Sequence, residues 1–269
     1  MVGAAKVDER VRPLLIGGKM RRYMKFVKIF GRITVGKCSP QPPIRPVEEA
    51  QRVLVIAPHP DDEVLGCGGT VKKYGERGAH IKTLYFTDGS EGNPDLGGQE
   101  LATMRRQEAE EGLKIIGCHD SQFLDNKDGD LRADRNAIGA TGEVLDMFHP
   151  DIIFVPFIFD NHSDHIQSAI ALAEALKNYR EPVICYCYEV WTPLFPNLLV
   201  DITDTIDAKM KAMDAHRSQI DHQNIKECVF GLNSYRAIGW GKKVKACEAF
   251  YRCSRKEYIK IVLDQGKIG

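Results

Sequence analysis

Three polar clusters in this sequence contain residues of the types that catalyse reactions or bind metals. Each cluster follows an apolar run of strand length. They span residues 58–63 (PHPDDE), 87–92 (TDGSEG) and 160–165 (DNHSDH). In an open α/β sheet, ligands bind beyond the carboxyl ends of the strands. Polar groups that converge from several strand ends on one edge therefore indicate a functional site and not a random stretch of surface.

Two of these clusters contain a set of residues suited to binding a metal. His59 and Asp62 are three positions apart, and a turn that opens a helix there would bring both side chains to one side. His165, from the third cluster, is the natural third ligand. Two histidines and one carboxylate suit a catalytic zinc with a fourth position left for water. Such a metal lowers the pKa of its water toward ~7 and polarises a carbonyl oxygen.

The same clusters supply groups for general acid–base catalysis. Asp61 is adjacent to a predicted ligand but need not ligate, so it can act as a general base on the water. His162 can donate to a developing oxyanion or protonate a leaving group, with Asp164 holding its ring in one orientation.

Simpler interpretations of these residues stay open at this point. The whole role of Asp61 or Asp62 could be to cap the N-terminus of a helix. A single histidine is more often a surface or core residue than a metal ligand. The cluster at 87–92 could be a glycine-rich turn. Dinucleotide binding through residues 66–69 (GCGG) is disfavoured, because they lie inside a predicted helix and Val71 occupies the place of the third glycine.

The elements that would position these clusters alternate along the chain. Apolar runs predict strands at 52–57, 80–87, 151–157 and 182–190, and helical periodicity appears at 62–76, 99–117 and 166–176, with Gly117 as a C-cap. Strands that alternate with amphipathic helices form right-handed βαβ units. The sequence therefore predicts an α/β fold in three layers, with a mostly parallel sheet covered by helices on both faces.

With these clusters in place, the sequence resembles the LmbE/PIG-L family of zinc-dependent N-deacetylases. The matching stretches are APHPDDEVLGCGGT (57–70), TDGSEGNP (87–94), MRRQEAEEGLKIIG (104–117) and NHSDH (161–165), with weaker matches at HRSQ (216–219) and CEAF (247–250). The resemblance covers about residues 51–252. It implies a Rossmann-like α/β fold and removal of an N-acetyl group from an N-acetylglucosamine-type sugar or glycoconjugate.

The resemblance also assigns roles to individual residues. It places zinc ligation on His59, Asp62 and His165, the general base on Asp61, transition-state stabilisation on His162 with Asp164 behind it, and substrate orientation on Arg105. Another divalent metal in place of zinc stays open. The spacing of Arg105 and Glu108 equally fits a solvated i,i+3 ion pair. Two other functions are also open, namely an amidase of a different amide-linked conjugate and a non-catalytic sugar-binding or scaffold protein.

Charge divides the chain into two predicted parts. The 37 basic and 37 acidic residues balance overall, which argues against a dedicated nucleic-acid binder. Residues 1–46, however, form a basic arm that ends in a proline-rich linker and carries a charge of +9. Residues 47–269, the predicted zinc-dependent deacetylase domain, carry −9. The sequence thus predicts a basic arm attached to an acidic body.

The arm predicts a short basic amphipathic helix. Met20, Tyr23, Met24, Val27 and Phe30 recur at helical spacing among lysines and arginines. Such a helix can lie on an anionic membrane surface, pack on the acidic body, or pack on a partner subunit of a homo-oligomer. The N-terminus lacks a secretory pattern, and none of the eight cysteines forms a C-x-x-C pair. We therefore expect a cytoplasmic protein with free thiols, with peripheral membrane contact through the arm as one option.

Overall fold

The computed structural model describes residues 42–93 and 95–265, which contain seven strands and eight helices. In chain order these are β1 (Arg52–Ala57), α1 (Asp62–Glu76), β2 (His80–Thr87), α2 (Gly98–Ile116), β3 (Asp120–Asn126), α3 (Arg135–Phe148), β4 (Ile152–Pro156), α4 (Ser163–Leu176), β5 (Ile184–Tyr188), β6 (Leu198–Asp201), α5 (Ile206–Met213), α6 (Arg217–Ile220), α7 (Ile225–Arg236), β7 (Cys247–Ser254) and α8 (Arg255–Gln265). The seven cysteines among these residues are free.

All seven strands form one sheet in the order β3-β2-β1-β4-β5-β7-β6. The strands from β1 to β5 pair in parallel, and β7 pairs antiparallel with both β5 and β6. The chain order reverses beside β1, since β2 lies on one side of it and β4 on the other. This is the topological switch point at which open α/β sheets bind ligands, and the predicted clusters lie at its strand ends.

Burial on both faces of the sheet explains why the central strands are continuous apolar runs. Side chains alternate between faces along a strand, and in β1 both alternating sets, Val53 and Val55 on one face and Leu54 and Ile56 on the other, are fully buried. Helices α1, α2 and α5 pack against one another, and α3 packs against α4. The predicted three-layer α/β fold with a mostly parallel sheet is confirmed.

The predicted strands at the centre of the sheet and the predicted helices are confirmed, whereas β3, β6 and β7 were not predicted. Gly117 adopts a φ of 85° and ends α2, as its C-cap position predicts. β3 was not predicted because its sequence, DSQFLDN, contains no apolar run and its residues are at most half-buried. β6 and β7 were not predicted as strands either, since β6 is only four residues long and β7 mixes charged with apolar residues.

The end of the proline-rich segment contacts the sheet edge. The backbone N–H of Arg45 donates to the carbonyl of Leu199 (2.9 Å), and the N–H of Leu199 donates to the carbonyl of Pro43 (3.0 Å). The predicted amphipathic helix of the arm lies outside the described residues, and the boundary between arm and body at residue 46 stays a prediction. Within the described part of the chain, no helix is long and apolar enough to cross a membrane.

Packing accounts for the first glycine of the GCGG segment in α1. A Cβ atom on Gly66 would lie 2.2 Å from the ring of Tyr188. That ring is fixed in turn, because the Tyr188 hydroxyl donates to the carbonyl of Ile56 (2.7 Å) and the side chain is fully buried. Gly66 therefore allows α1 to pack closely against the ring of Tyr188, the last residue of β5.

We predict that Gly66→Ala destabilises the protein although alanine is the better helix former. Overpacking of a filled core typically costs 1–3 kcal/mol, which outweighs the ~1 kcal/mol gained from helix propensity. Gly142→Ala, in α3, is the matched control because a Cβ there meets no atom within 4 Å. Urea denaturation should show a lower midpoint for Gly66→Ala and an unchanged or higher midpoint for Gly142→Ala. Equal midpoints for the two variants would contradict this account of Gly66.

Candidate active site

The turn between β1 and α1 is folded by the side chain of one of the predicted ligands. The carboxylate of Asp62 accepts a hydrogen bond from the backbone N–H of His59 (2.9 Å), which brings both residues to the same side of the turn. Asp61 occupies the N-cap position of α1, yet its side chain makes no capping hydrogen bond. The Asp61 carboxylate therefore does not serve as a cap of this helix.

The three predicted metal ligands lie together at this turn. Oδ2 of Asp62 is 3.1 Å from Nδ1 of His59 and 3.2 Å from Nε2 of His165. All three residues are buried, and His165 is fully so. The carboxylate of Asp62 therefore contacts two imidazole nitrogens, one from its own turn and one from a distant segment.

The outer nitrogens of the two histidines each face further carboxylates. Nε2 of His59 lies 3.1 Å from Oδ1 of Asp128 and 3.3 Å from Oδ2 of Asp164. Nδ1 of His165 lies 3.4 Å from Oδ2 of Asp160. Carboxylates behind the histidines are typical of metal sites, where they fix the tautomer and orient the ring toward the metal.

The electrostatics of the cluster also favour a bound cation. Burial by itself lowers the pKa of His165, but the negative charge of Asp62 raises it to about 9. Burial likewise opposes protonation of His59, and hydrogen bonds to Asp128, Asp164 and Asp62 raise its pKa well above the ordinary value. Buried carboxylates that hold protons on neighbouring histidines would equally hold a metal ion in their place. The donor set thus fits a divalent metal.

Asp61 lies beside this cluster and has the properties of a general base. Burial raises its pKa to about 6, against the opposing charge of Arg105, whose Nη2 is 3.1 Å from Oδ2 of Asp61. A base with a pKa near the working pH can both accept and return a proton. Glu63, next along the turn, accepts a hydrogen bond from the backbone N–H of Asp61 (3.2 Å), and burial raises the pKa of Glu63 to about 8.

His162 lies beside the cluster, and one of its ring nitrogens is fixed by the backbone. Its Nδ1 accepts the backbone N–H of Asp164 (3.2 Å), so the neutral ring carries its proton on Nε2. Burial, together with the charges of His59 and His165, lowers the pKa of His162 and keeps the ring neutral. The ring centroid of His162 lies 4.7 Å from that of His59.

Asp164 contacts His162 differently from the predicted arrangement. Its carboxylate accepts the backbone N–H of Gly129 (2.8 Å) and faces Nε2 of His59, whereas its own backbone contacts His162. The geometry thus relates the Asp164 carboxylate to a predicted metal ligand, and its role in orienting His162 stays a prediction.

Arg105 and Glu108 do not form the solvated pair that their spacing allows, because both are buried (3% and 8% exposed). The guanidinium of Arg105 donates to the carbonyls of Pro60, Gly89 and Glu91, each at 3.2 Å. Glu108 instead accepts from the backbone N–H and hydroxyl of Ser218 (2.8 and 2.6 Å). Arg105 thereby ties the turn before α1 to the segment that follows β2, and its predicted contact with substrate stays a prediction.

Two carboxylates of the site were given no role by sequence reasoning. Asp128 follows β3, the edge strand that has no apolar run, so the strand-end argument could not find it. Asp160 lies within the third polar cluster, and its carboxylate faces His165 while also accepting the backbone N–H groups of His162 and Trp191 (3.2 Å each). Of the two, only Asp160 carried a signal in the sequence, because it begins the third polar cluster.

A cavity of about 180 Å³ opens onto these residues. Its lining includes two predicted ligands, His59 and Asp62, and two predicted acid–base groups, Asp61 and His162. Arg105 and Asp128 also line it. Because the cavity is accessible from solvent, a substrate can reach the cluster.

Comparison with known proteins identifies relatives of this chain. The family model described as "PIG-L: GlcNAc-PI de-N-acetylase" matches residues 54–176. A diacetylchitobiose deacetylase of Thermococcus kodakarensis is 31% identical over 192 residues, which cover 65% of this chain and 72% of the relative. A 1D-myo-inositol 2-acetamido-2-deoxy-alpha-D-glucopyranoside deacetylase of Mycobacterium sp. (strain KMS) is 25% identical over 249 residues, covering 69% and 80% of the two chains.

A solved structure extends this similarity to the fold. The N,N'-diacetylchitobiose deacetylase from Pyrococcus horikoshii, complexed with its inhibitor, superposes with a TM-score of 0.72 and 27% identity. The superposition covers 88% of this chain and 94% of that one. The fold and the sequence similarity therefore extend well beyond the short motifs of the site.

We predict that Arg105→Met costs far more stability than Arg106→Met. Removing one partner of a buried ion pair costs about 3–5 kcal/mol, because it leaves uncompensated charge, here on Asp61, and unpaired carbonyls. Arg106, the adjacent control, pairs with Asp125 at the surface, where an ion pair contributes about 0–1 kcal/mol. Urea denaturation should separate the two variants clearly. A loss for Arg105→Met no larger than that for Arg106→Met would show that Arg105 does not hold the site together.

Proposed function

This chain belongs to the PIG-L (LmbE-like) deacetylase family, and from that membership we propose that it hydrolyses the N-acetyl group of an N-acetylglucosamine-type sugar or glycoconjugate. The products are acetate and a free amino sugar. Relatives named for deacetylation of diacetylchitobiose and of a glucosamine–inositol conjugate support this substrate class.

The observation that carries the proposal is the position of Asp61 beside the donor set. His59, Asp62 and His165 present three donors of the kinds zinc prefers in catalytic sites, and we propose zinc as the metal that they hold. The Asp61 carboxylate follows His59 by two residues and is free of a helix-capping contact. A metal-binding triad with an adjacent buried base is the arrangement that amide hydrolysis needs.

A divalent metal in this site supplies two effects, a lower pKa for water and polarisation of the acetamide carbonyl. The residues of the chain do the rest. Asp61 accepts a proton from the attacking water. The Nε2–H of His162 donates to the oxygen that becomes negatively charged as the tetrahedral intermediate forms. Asp61, now protonated, then gives that proton to the departing amine, and the C–N bond breaks.

Arg105 serves this sequence of steps by holding Asp61. Its guanidinium lies against the Asp61 carboxylate and against three backbone carbonyls around the turn. That contact opposes the rise in pKa which burial imposes on Asp61. Arg105 thus keeps the base largely ionised near neutral pH and fixes its direction.

We predict that substitutions at Asp61 and His165 separate catalysis from metal binding. Asp61→Ala should keep its zinc and lose turnover by about 10²–10⁴-fold, the usual contribution of a general base. His165→Ala should lose the zinc itself, because a buried ligand is removed. The measurements are metal analysis after dialysis and acetate release from N-acetylglucosamine and N,N'-diacetylchitobiose by the zinc-loaded protein.

His80→Ala is the matched control, since the His80 side chain is 61% exposed and pairs with Asp120 at the surface. It should retain both zinc and turnover. Near-normal turnover of Asp61→Ala would show that the assigned base is wrong. Acetate release from neither sugar by the zinc-loaded wild-type protein would contradict the proposed substrate class.

Membrane contact through the basic arm and assembly into a homo-oligomer are further proposals from the sequence. Both depend on residues 1–41, which lie outside the described residues. A lipid-linked or membrane-proximal glycan would suit a basic amphipathic helix. Co-sedimentation of the full chain with anionic liposomes, compared with a chain that starts at Val47, examines this contact.

A further inference from the structure

Beyond the catalytic residues, the cavity has one large aromatic side chain at its opening. Among the described residues that line it, Trp191 is the only one that carries a phenyl, phenol or indole ring. Trp191 lines the cavity, yet half of the residue is exposed to solvent (50%). A residue with both properties lies at the rim.

The cavity lining combines two chemically different kinds of group. Arg105 contacts Asp61 and Asp128, and these charged groups can bind polar hydroxyls. The backbone of Trp191 is connected through Asp160 to that of His162, because the two oxygens of Asp160 accept the backbone N–H groups of those residues. A pyranose ring has the matching character, with hydroxyls around its edge and apolar C–H groups on its faces.

The segment that carries Trp191 is held rigidly. Glu189, which is buried, accepts the backbone N–H of Leu194 (2.8 Å) and two hydrogen bonds from Arg236 (3.0 and 2.6 Å). Arg236 also donates to the carbonyl of Leu194 (2.9 Å). These contacts close the loop between β5 and β6 onto the end of α7. A side chain on a pre-organised loop loses little conformational entropy when it binds a ligand.

The size of the cavity indicates which part of a substrate meets Trp191. Cavities that enclose drug-sized ligands measure about 300–1,000 Å³, whereas this one measures about 180 Å³. It therefore suits a single sugar ring, and the next unit of a larger substrate must extend past the rim.

We propose that Trp191 is a specificity-determining residue that stacks on the sugar ring attached to the acetylated one. This inference rests on the proposed function, because it takes an N-acetylated sugar as the occupant of the cavity. The indole face packs on the C–H face of the second ring, and it does not touch the reacting atoms. Trp191 therefore favours disaccharides and glycoconjugates over a free N-acetylated monosaccharide.

Kinetics with two substrates test this role. With zinc-loaded protein, Trp191→Ala should raise KM for N,N'-diacetylchitobiose about tenfold, the upper end of what an aromatic contact contributes. KM for N-acetylglucosamine should stay within about twofold, and kcat on both sugars should be unchanged, because the contact is uniform through the reaction. Trp191→Phe should restore most of the loss. Trp240→Ala, which removes the protein's other tryptophan from outside the cavity lining, should match the wild type.

A binding measurement that is independent of turnover completes the test. Trp240→Phe leaves Trp191 as the only tryptophan, so its fluorescence reports directly on the rim. Titration with N,N'-diacetylchitobiose should change the emission, and titration with N-acetylglucosamine should change it little. The same titrations on Trp191→Phe, where Trp240 is the only tryptophan, should give no change.

The outcomes separate this inference from the proposed function. Acetate release from both sugars with equal effects of Trp191→Ala on their KM values, or with no effect, would overturn the role of Trp191 and leave the deacetylase intact. A fluorescence response to the disaccharide without acetate release from either sugar would overturn the proposed function and retain the rim contact. Neither response nor release would overturn both.

Discussion

Buried negative charge at one edge of the sheet is the constraint on which the rest of the site depends. Four carboxylates (Asp62, Asp128, Asp160 and Asp164) lie within 3.1–3.4 Å of ring nitrogens of His59 or His165. Isolated carboxylates cannot be buried without a large desolvation penalty, so the cluster requires positive charge. Arg105 supplies some of it, and the histidines or a metal ion supply the rest. The same buried carboxylates therefore both require a nearby cation and provide oxygen atoms that can bind a metal.

The central strands and the ligands beside them could be predicted from sequence for a physical reason. A parallel strand buried on both faces must be a continuous apolar run, and the polar residues after such a run lie at the binding edge. His59, Asp62 and His165 follow β1 and β4, which are of this kind. Asp128 could not be found in the same way, because it follows β3, an edge strand whose half-buried residues leave no apolar pattern.

The hydrogen-bond and ion-pair partners of side chains were harder to predict from the sequence than the strands and helices on which those side chains lie. The spacing of Arg105 and Glu108 allowed a surface pair, yet α2 turns both residues inward, and their partners are more than 40 and 100 residues away in sequence. Gly66 shows the same limit, since only the ring of Tyr188 explains it. A periodic pattern gives the face of a helix, whereas the group that meets that face comes from another part of the chain. The role proposed for Trp191 likewise could not be predicted from the sequence, because it depends on the cavity that the residue lines and on the loop that carries it.

We propose that two histidines and one aspartate hold the metal, and the atoms bound to the metal can be observed directly. X-ray absorption spectroscopy of the zinc-loaded protein distinguishes sulfur from nitrogen or oxygen among the atoms bound to zinc and gives their distances. The account predicts a first shell of nitrogen and oxygen alone at about 2.0–2.2 Å. With eight cysteines in the chain, sulfur is a real competitor, and a zinc–sulfur distance of about 2.3 Å would contradict the account.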